Sequence, residues 1–160
     1  MPKLVLAVVG VIVVLVAGYL ISGWMTSDED RVAASVLRIC DAFNEGSARG
    51  FVEELADRYD DKQFGLNRQT LRSGLNQYFL AVRQDGENFR YVASVDESTL
   101  VVTIEEEKAT AVFEASLTRP KSEEPTWTGS VTLQYEQIDG EWLVVISEYD
   151  NLVGRMPLRP

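Results

Sequence analysis

From Leu4 to Ile21 (LVLAVVGVIVVLVAGYLI) the chain carries no charge, no side-chain amide and no proline, and only after it do apolar and polar positions begin to alternate. As a helix rising about 1.5 Å per residue the run covers roughly 27 Å, and continuing through Trp24 and Met25 it reaches the ~30 Å hydrocarbon thickness of a bilayer. Its β-branched residues would suit a buried strand, but no strand needs so long an apolar run, and lipid favours a segment that satisfies its own backbone. The expectation is a transmembrane anchor over residues 1–25, a tethered domain over 26–150 and a flexible tail over 151–160. A cleaved secretory signal is the alternative. Val16-Ala17-Gly18 is a passable cleavage triplet, yet the run exceeds the about 7 to 15 apolar residues of a signal, and cutting there leaves Tyr19-Leu20-Ile21 exposed. Trp24 suits the headgroup layer, and the small pair Gly18 and Ser22 is read as lipid-facing.

Three helical patterns follow. Ser27 or Asp28 can cap a helix with Val32, Val36, Ile39, Cys40 and Phe43 on one side, ending at Gly46. Ser47 can cap a second, shorter helix carrying Phe51, Val52, Leu55, Ala56 and Tyr59, broken by Asp60-Asp61. Asn67 caps a third with Leu71, Leu75, Tyr78, Phe79 and Val82, closed by Asp85-Gly86.

From residue 88 the period changes to two. Phe89, Tyr91, Ala93 and Val95 alternate, then Leu100, Val102 and Ile104, with Asp96 to Thr99 as the expected turn. Ala109, Ala111, Phe113, Ala115 and Leu117 form a longer alternation, and Pro120 to Pro125 reads as a loop. Trp127, Gly129, Val131, Leu133 and Tyr135 then alternate against Thr128, Ser130, Thr132, Gln134 and Glu136. Asp139-Gly140 is a hairpin signal leading into Glu141 to Ile146, which is apolar on both parities and expected to be covered on both sides. The fold class expected is α+β: three N-terminal helices on a curved antiparallel sheet, preceded by one transmembrane helix.

Charge and composition narrow the chemistry. The chain has a formal net charge of −10, and Lys3 is the only charged residue among the first 25, so the tethered part is slightly more acidic still. Such a surface repels nucleic-acid phosphate, and no nucleic-acid partner is expected. Cys40 is the only cysteine, which excludes an internal disulfide and a cysteine metal cluster. There is no histidine, so the usual Ser-His and Cys-His pairs, the usual base near neutral pH and the commonest metal ligand are missing. The run Glu105-Glu106-Glu107 lacks the ligand spacing and glycine of a calcium loop and reads as a solvated turn; Asp60-Asp61 has the same weakness. No phosphate loop or serine elbow appears, and no metal or cofactor is implied.

The order of these elements, Asn44-Glu45-Gly46 after the first helix and the closing hairpin Asp139-Gly140-Glu141-Trp142-Leu143-Val144 together resemble the NTF2-like, or SnoaL-like, superfamily over about residues 30 to 150. The short strand that usually precedes the third helix has no evident counterpart around residues 60 to 66, and a cystatin-like or other helix-on-sheet domain fits the same pattern. The resemblance implies a cone with a pocket at its open end, suited to a small apolar ligand. Some relatives, such as ketosteroid isomerase, polyketide cyclases and scytalone dehydratase, are enzymes there; many others only bind or assemble. Without histidine, only carboxylate and tyrosine chemistry is open. The pocket candidates are then Glu148, which shares parity with Trp142, Val144 and Ile146, and Tyr78, Tyr91 and Tyr135, with Tyr59 beside them. The opposing readings are a strand ending at Ser147 with Glu148 solvated, and tyrosines that are simply core.

The residues lean toward a non-catalytic binding or assembly module held at a membrane, a layout similar to single-span NTF2-like proteins of type IV secretion machinery and bacterial lipid import. A histidine-free pocket enzyme is the alternative. A homodimer through the uncharged outward stripe Thr128, Ser130, Thr132 and Gln134 is the expected form of self-association. Lys3 and the terminal amine favour a cytoplasmic N-terminus, weakened by Arg31 and Arg38, so the domain is expected outside the cytoplasm. A reporter fused at Pro160 that is active only in the cytoplasm should therefore stay silent; activity, or mature protein starting near Tyr19, would remove the retained anchor or its orientation.

Overall fold

The computed structural model describes residues 27–85 and 90–157. The run from Leu4 to Ile21 lies outside the described residues; among those described, no helix is long and apolar enough to cross a membrane. Three helices and five strands follow in order: α1 (Asp28–Asn44), α2 (Ala48–Glu53), β1 (Leu55–Asp61), α3 (Arg68–Asp85), β2 (Val92–Glu105), β3 (Lys108–Thr118), β4 (Trp127–Ile138) and β5 (Glu141–Val153).

Each helix starts where its sequence supplies an acceptor for the free N–H groups of the first turn. Ser27 Oγ accepts from Asp30 N at 3.1 Å while Asp30 Oδ2 accepts from Ser27 N at 3.3 Å, a complete capping box. Ser47 Oγ accepts from Gly50 N at 3.0 Å, and Asn67 Oδ1 from Thr70 N at 2.9 Å. Gly46, at φ 71°, takes the left-handed conformation that ends α1.

The strand order is β1-β5-β4-β3-β2. The last four form an antiparallel meander, but β1 runs parallel to β5, so the sheet is mixed and not wholly antiparallel as expected. This strand also corrects the second helix. Leu55, Ala56 and Tyr59 do not extend α2; they are the buried positions of β1, the short strand for which the sequence showed no evident counterpart. Their spacing suits one helix face, but it equally suits a strand whose register shifts between Leu55 and Asp60. Backbone pairing decides between them, because Val144 N already donates to Glu54 O at 2.9 Å as the chain leaves α2.

A second bulge replaces a predicted turn. Residues Asp96 to Thr99 do not reverse the chain; β2 continues through them with a register shift against β3. Asp96 Oδ1 accepts from Ser98 N at 3.0 Å, and Thr99 Oγ1 donates to Asp96 O and accepts from Glu114 N, both at 2.8 Å. The side chains thus satisfy backbone groups that the ladder has dropped.

Along β3 and β4 the alternation stands as read: Ala109, Ala111, Phe113 and Leu117 are buried from β3, and Trp127, Leu133 and Tyr135 from β4. Gly129 is a glycine for a steric reason. A Cβ there would sit 2.2 Å from Trp127 Cζ2, so the indole lies across the space the side chain would need. The Asp139-Gly140 hairpin forms with both residues at positive φ, 52° and 85°, as a type I′ turn requires. The last strand runs on to Val153, into the stretch expected as tail, and Met156 packs against the core around Trp127.

The core divides in two along the helices. One half gathers Val32, Val36, Leu55, Tyr59, Phe113, Tyr135, Trp142 and Val144; the other gathers Phe43, Ala48, Leu75, Phe79, Leu117 and Trp127. Trp142 is 4% exposed and Phe79 6%. Truncating either to Ala should cost about 3 to 5 kcal/mol, from lost transfer energy and the cavity left behind. Chemical unfolding measures it: both variants should show sharply lowered midpoints, and an unchanged midpoint in either would place that side chain outside the core.

Candidate functional site

The inner surface of the sheet is filled. Tyr135, 1% exposed, reaches into the core beside Val32, Val36, Phe113 and Trp142. Burial pushes its phenol well above the ordinary value, the neighbouring Ser35 hydroxyl pulls it part of the way back, and Glu54 and Arg38 act with opposite signs. Neither Tyr135 OH nor Ser35 Oγ has a partner of normal hydrogen-bond geometry among the described residues. Tyr135 is therefore a core residue with a polar tip and does not line a pocket.

Glu148 is not in the interior either. Tyr135 pairs with Val144 but Gln134 pairs with Ile146, so β5 carries one extra residue at this point. That residue reverses the parity of β5 from there as far as Asn151, where a second shift follows. Ser147 and Tyr149 come opposite Leu133 and Val131, on the core side, while Glu148 comes opposite Thr132 and is exposed on the outer face. Strict alternation carried from Trp142 could not have shown this.

Ser147 completes a hydrogen-bond relay that the sequence did not disclose. Its Oγ donates to Asp61 Oδ2 at 3.1 Å, which leaves Tyr59 OH to donate to Ser147 Oγ at 2.6 Å. The chain Tyr59–Ser147–Asp61 leads a buried phenol out to a half-buried carboxylate. Burial dominates the Tyr59 pKa, raising it from 10.0 to about 12, with the Ser147 bond acting against it and Asp61 and Asp60 adding to it.

Two clefts open at the surface, at opposite ends of α1. The first, about 330 Å³, is lined by Arg31, Arg38, Glu53, Glu54, Glu141, Trp142 and Leu143. Its charges already satisfy one another. Arg38 grips Glu54 with two bonds, 2.6 and 2.9 Å, and Asp28 Oδ1 accepts from Trp142 Nε1 at 2.9 Å and Arg31 Nη1 at 3.0 Å. The Trp142 bond holds Asp28 below the usual carboxylate range; burial opposes it, and the Arg31 hydrogen bond and charge add to the lowering. Arg31 also donates to Gly140 O. This cleft is a charged seam tying the first turn of α1 to the β4–β5 hairpin.

The second cleft, about 210 Å³, brings together Tyr78 and Tyr91. Its walls are Phe43, Tyr78, Phe79 and Val82, with Asn44, Glu45, Gly46, Arg83, Arg90 and Tyr91 around them. Phe43 stacks on Tyr78 at 5.6 Å and 13°, and Tyr78 OH accepts from Tyr91 N at 2.9 Å. Burial raises the Tyr78 pKa and the Tyr91 N–H bond lowers it, with Arg90 near enough to add a smaller lowering. Arg119 donates from Nε and Nη2 to Tyr91 OH at 3.3 and 3.1 Å and sits over its ring at 5.6 Å. Asn44 fastens the floor by bonding both Ala93 N and Ala93 O, at 2.8 and 2.9 Å. Of the four pocket candidates, then, Tyr78 and Tyr91 meet here, Tyr135 is in the core and Glu148 is outside. Among the described residues no group of three acidic or cysteine side chains is placed to hold a metal ion.

Solved structures share this architecture. An NTF2-like protein with a cystatin-like fold from Novosphingobium aromaticivorans superposes with a TM-score of 0.66 at 18% identity, covering 88% of this chain and 90% of that one. A protein of unknown function with a cystatin-like fold from Nostoc punctiforme gives 0.63 at 12% identity, over 82% of this chain and 96% of that one. The protein Aln2 from a Streptomyces species gives 0.61 at 13% identity, over 76% of this chain and 88% of that one. The fold is NTF2-like. At these identities the likeness is one of fold alone. No family profile matches the sequence, and no curated protein does.

The Tyr59 relay has a pH signature. A phenol whose pKa is raised by folding stabilises the folded state fully below its unfolded value, and that stability is lost as pH rises from about 10 through about 12, because the unfolded chain releases the proton first. Tyr59→Phe should cost about 1 kcal/mol at pH 9, through the lost hydroxyl bond. By pH 11.5 the gap to the parent should have narrowed or closed. Urea unfolding of both proteins at the two pH values measures this; a gap that stays constant would mean that Tyr59 titrates as freely folded as unfolded.

Proposed function

We propose that this chain is a membrane-anchored NTF2-like binding or assembly module that self-associates through the outer face of its sheet and carries out no turnover of its own. The observation that carries this reading is the filled interior. Tyr59, Phe113, Tyr135 and Trp142 occupy the space in which a pocket of the fold would hold a substrate, and the β5 bulge turns Glu148, the candidate base, to the outside. A catalytic set needs its acid–base groups within reach of one bound molecule.

The outer face supports assembly. Val101, Val112 and Thr132 lie in one cross-strand row that ends at Glu148, and Thr103, Thr110, Gln134 and Ile146 in the next, which continues to Asp60, so that the uncharged positions form the middle of this face and carboxylates its β1–β5 border. Val101 is 61% exposed and Val112 39%, on a protein whose net charge is −10. Apolar and hydroxyl side chains without charge are what the centre of an interface requires, and repulsion between two acidic copies is least there. The apolar run from Leu4 to Ile21 would hold the module at a bilayer as a single span, with the domain on the extracytoplasmic side, and confine it to partners on that surface.

Sedimentation of the full chain in a nonionic detergent tests the reading. The parent should be a dimer. Val112→Glu, which adds a like charge to both copies, and Thr132→Lys should each give a monomer with unchanged circular dichroism. A monomeric parent, or a dimer that survives both substitutions, would remove this face as the assembly surface.

A further inference from the structure

We propose that the cleft between the C-terminal turns of α1 and α3 and the start of β2 binds a small apolar carboxylate, its body against Phe43, Tyr78, Phe79 and Val82 and its charge at Arg83 and Arg90. This goes beyond the assembly reading and does not depend on it, since the cleft lies on the helix side and the proposed interface on the opposite face of the sheet.

The distribution of arginine carries the argument. Arg31, Arg38, Arg49, Arg58 and Arg68 are each held by a carboxylate, Asp28, Glu54, Glu53, Glu136 and Asp57 respectively. On so acidic a surface that is the expected fate of a guanidinium. Arg83 and Arg90, like Arg72 and Arg155 elsewhere, make no ion pair with a described residue, and these two are brought together in one cleft. Glu45 also lines the cleft, without pairing to either, so among the described lining residues one carboxylate stands against two guanidiniums. Arg119 stands behind Tyr91 as a third cation. Because Tyr91 OH accepts both Arg119 bonds, its own proton is left for a further acceptor.

The walls select the rest of the ligand. Phe43 stacked on Tyr78, with Phe79 at 5.7 Å from Phe43, presents an aromatic surface that a simple inorganic anion cannot use. A cavity of about 150 Å³ holds benzene, and the cleft offers about 210 Å³. An aryl or short acyl acid matches both the volume and the pairing of an apolar wall with a guanidinium fork, which takes a carboxylate in two parallel bonds. The same chemistry is offered by a free acid and by the C-terminal carboxylate of a peptide ending in an apolar residue.

The test is a titration of the full chain in nonionic detergent, followed through the arginine Nε–Hε resonances. The probes are benzoate, its neutral counterpart benzamide, acetate, and a tripeptide ending in Phe as free acid and as amide. Saturable shifts at Arg83 and Arg90 are expected from a ring-bearing acid, with at least tenfold weaker binding of benzamide, of acetate and of the peptide amide. Tighter binding of benzoate assigns the source to a free acid, and tighter binding of the peptide acid to a chain terminus. Arg83→Gln with Arg90→Gln, both exposed positions, should weaken the preferred acid at least tenfold while leaving thermal unfolding unchanged. The proposal is overturned if neither acid gives a saturable shift, if benzamide or acetate binds as well, or if the double substitution leaves affinity intact.

Discussion

β5 must serve two neighbours at once, and the rest of the domain is built around how it does so. On one edge it pairs antiparallel with β4 and on the other parallel with β1, and both pairings change register near Val144 to Ile146. Without the extra residue, the core side of the strand would run Trp142, Val144, Ile146, Glu148, and a carboxylate would be forced among Leu133, Val131 and Phe113. With it, Trp142 and Val144 are buried on one side of the bulge and Ser147 and Tyr149 face inward on the other. A buried, unpaired carboxylate costs far more than one dropped ladder bond, so the bulge is the less costly solution. Its consequences spread: Trp142 reaches Asp28 and fixes the first turn of α1, Ser147 takes the Tyr59 hydroxyl, and Tyr149 meets Trp127 edge-on at 5.6 Å.

The same strand explains why the cone is closed. Trp142 and Tyr135 enter from adjacent strands toward α1, where Val32, Ser35 and Val36 are fully buried. Large aromatic side chains fill the space there, and among the described residues the two buried hydroxyls without normal partners, Ser35 and Tyr135, lie in this packing. A buried phenol without a full hydrogen bond is destabilising, which makes it a consequence of the packing rather than a prepared site. The surfaces proposed for recognition are accordingly the uncharged middle of the sheet's outer face and the aromatic cleft beyond the end of α1.

How much of this was legible follows from how regular each segment is. β3 and β4 alternate without interruption, and every inward position read from Ala109 to Leu117 and from Trp127 to Tyr135 lies on the core side. The caps Ser27, Ser47 and Asn67 and the Asp139-Gly140 turn are local chemistry and were readable as such. The misreadings fall at bulges. Leu55, Ala56 and Tyr59 looked helical and Asp96 to Thr99 looked like a turn, because register shifts break the period of two that parity arguments assume; for Glu148 the same kind of break decides between the two readings the sequence left open, buried by parity or solvated, in favour of the exposed one. The cleft was half legible: Tyr78 and Tyr91 stand out as amphipathic positions, but Arg83, Arg90 and Arg119 are scattered in sequence, and only the fold brings them together. The two arginines against one glutamate among its described lining residues were invisible in a net charge.

Charge is also distributed along the length of the domain. The turn at Glu106-Glu107 and the hairpin at Asp139-Gly140 lie together, joined by Gln137 N donating to Glu107 O at 2.9 Å, and Arg31 ties the start of α1 to the same end. That end therefore collects Asp28, Glu29, Asp30, Glu105, Glu106, Glu107, Asp139 and Glu141. α1 spans 17 residues, so at about 1.5 Å each its far end, where the arginine cleft opens, is roughly 25 Å away. The proposed anchor enters at Ser27, on the acidic end. If the chain is anchored as proposed, anionic headgroups would repel that end within a Debye length of about 8 Å and hold the domain off the bilayer surface. The arginine cleft would then lie on the side farthest from the lipid. An aromatic, basic cleft placed against the membrane would be drawn to the headgroups and blocked; at the opposite end of α1 from a repelled acidic face, in the proposed arrangement, it would stay free.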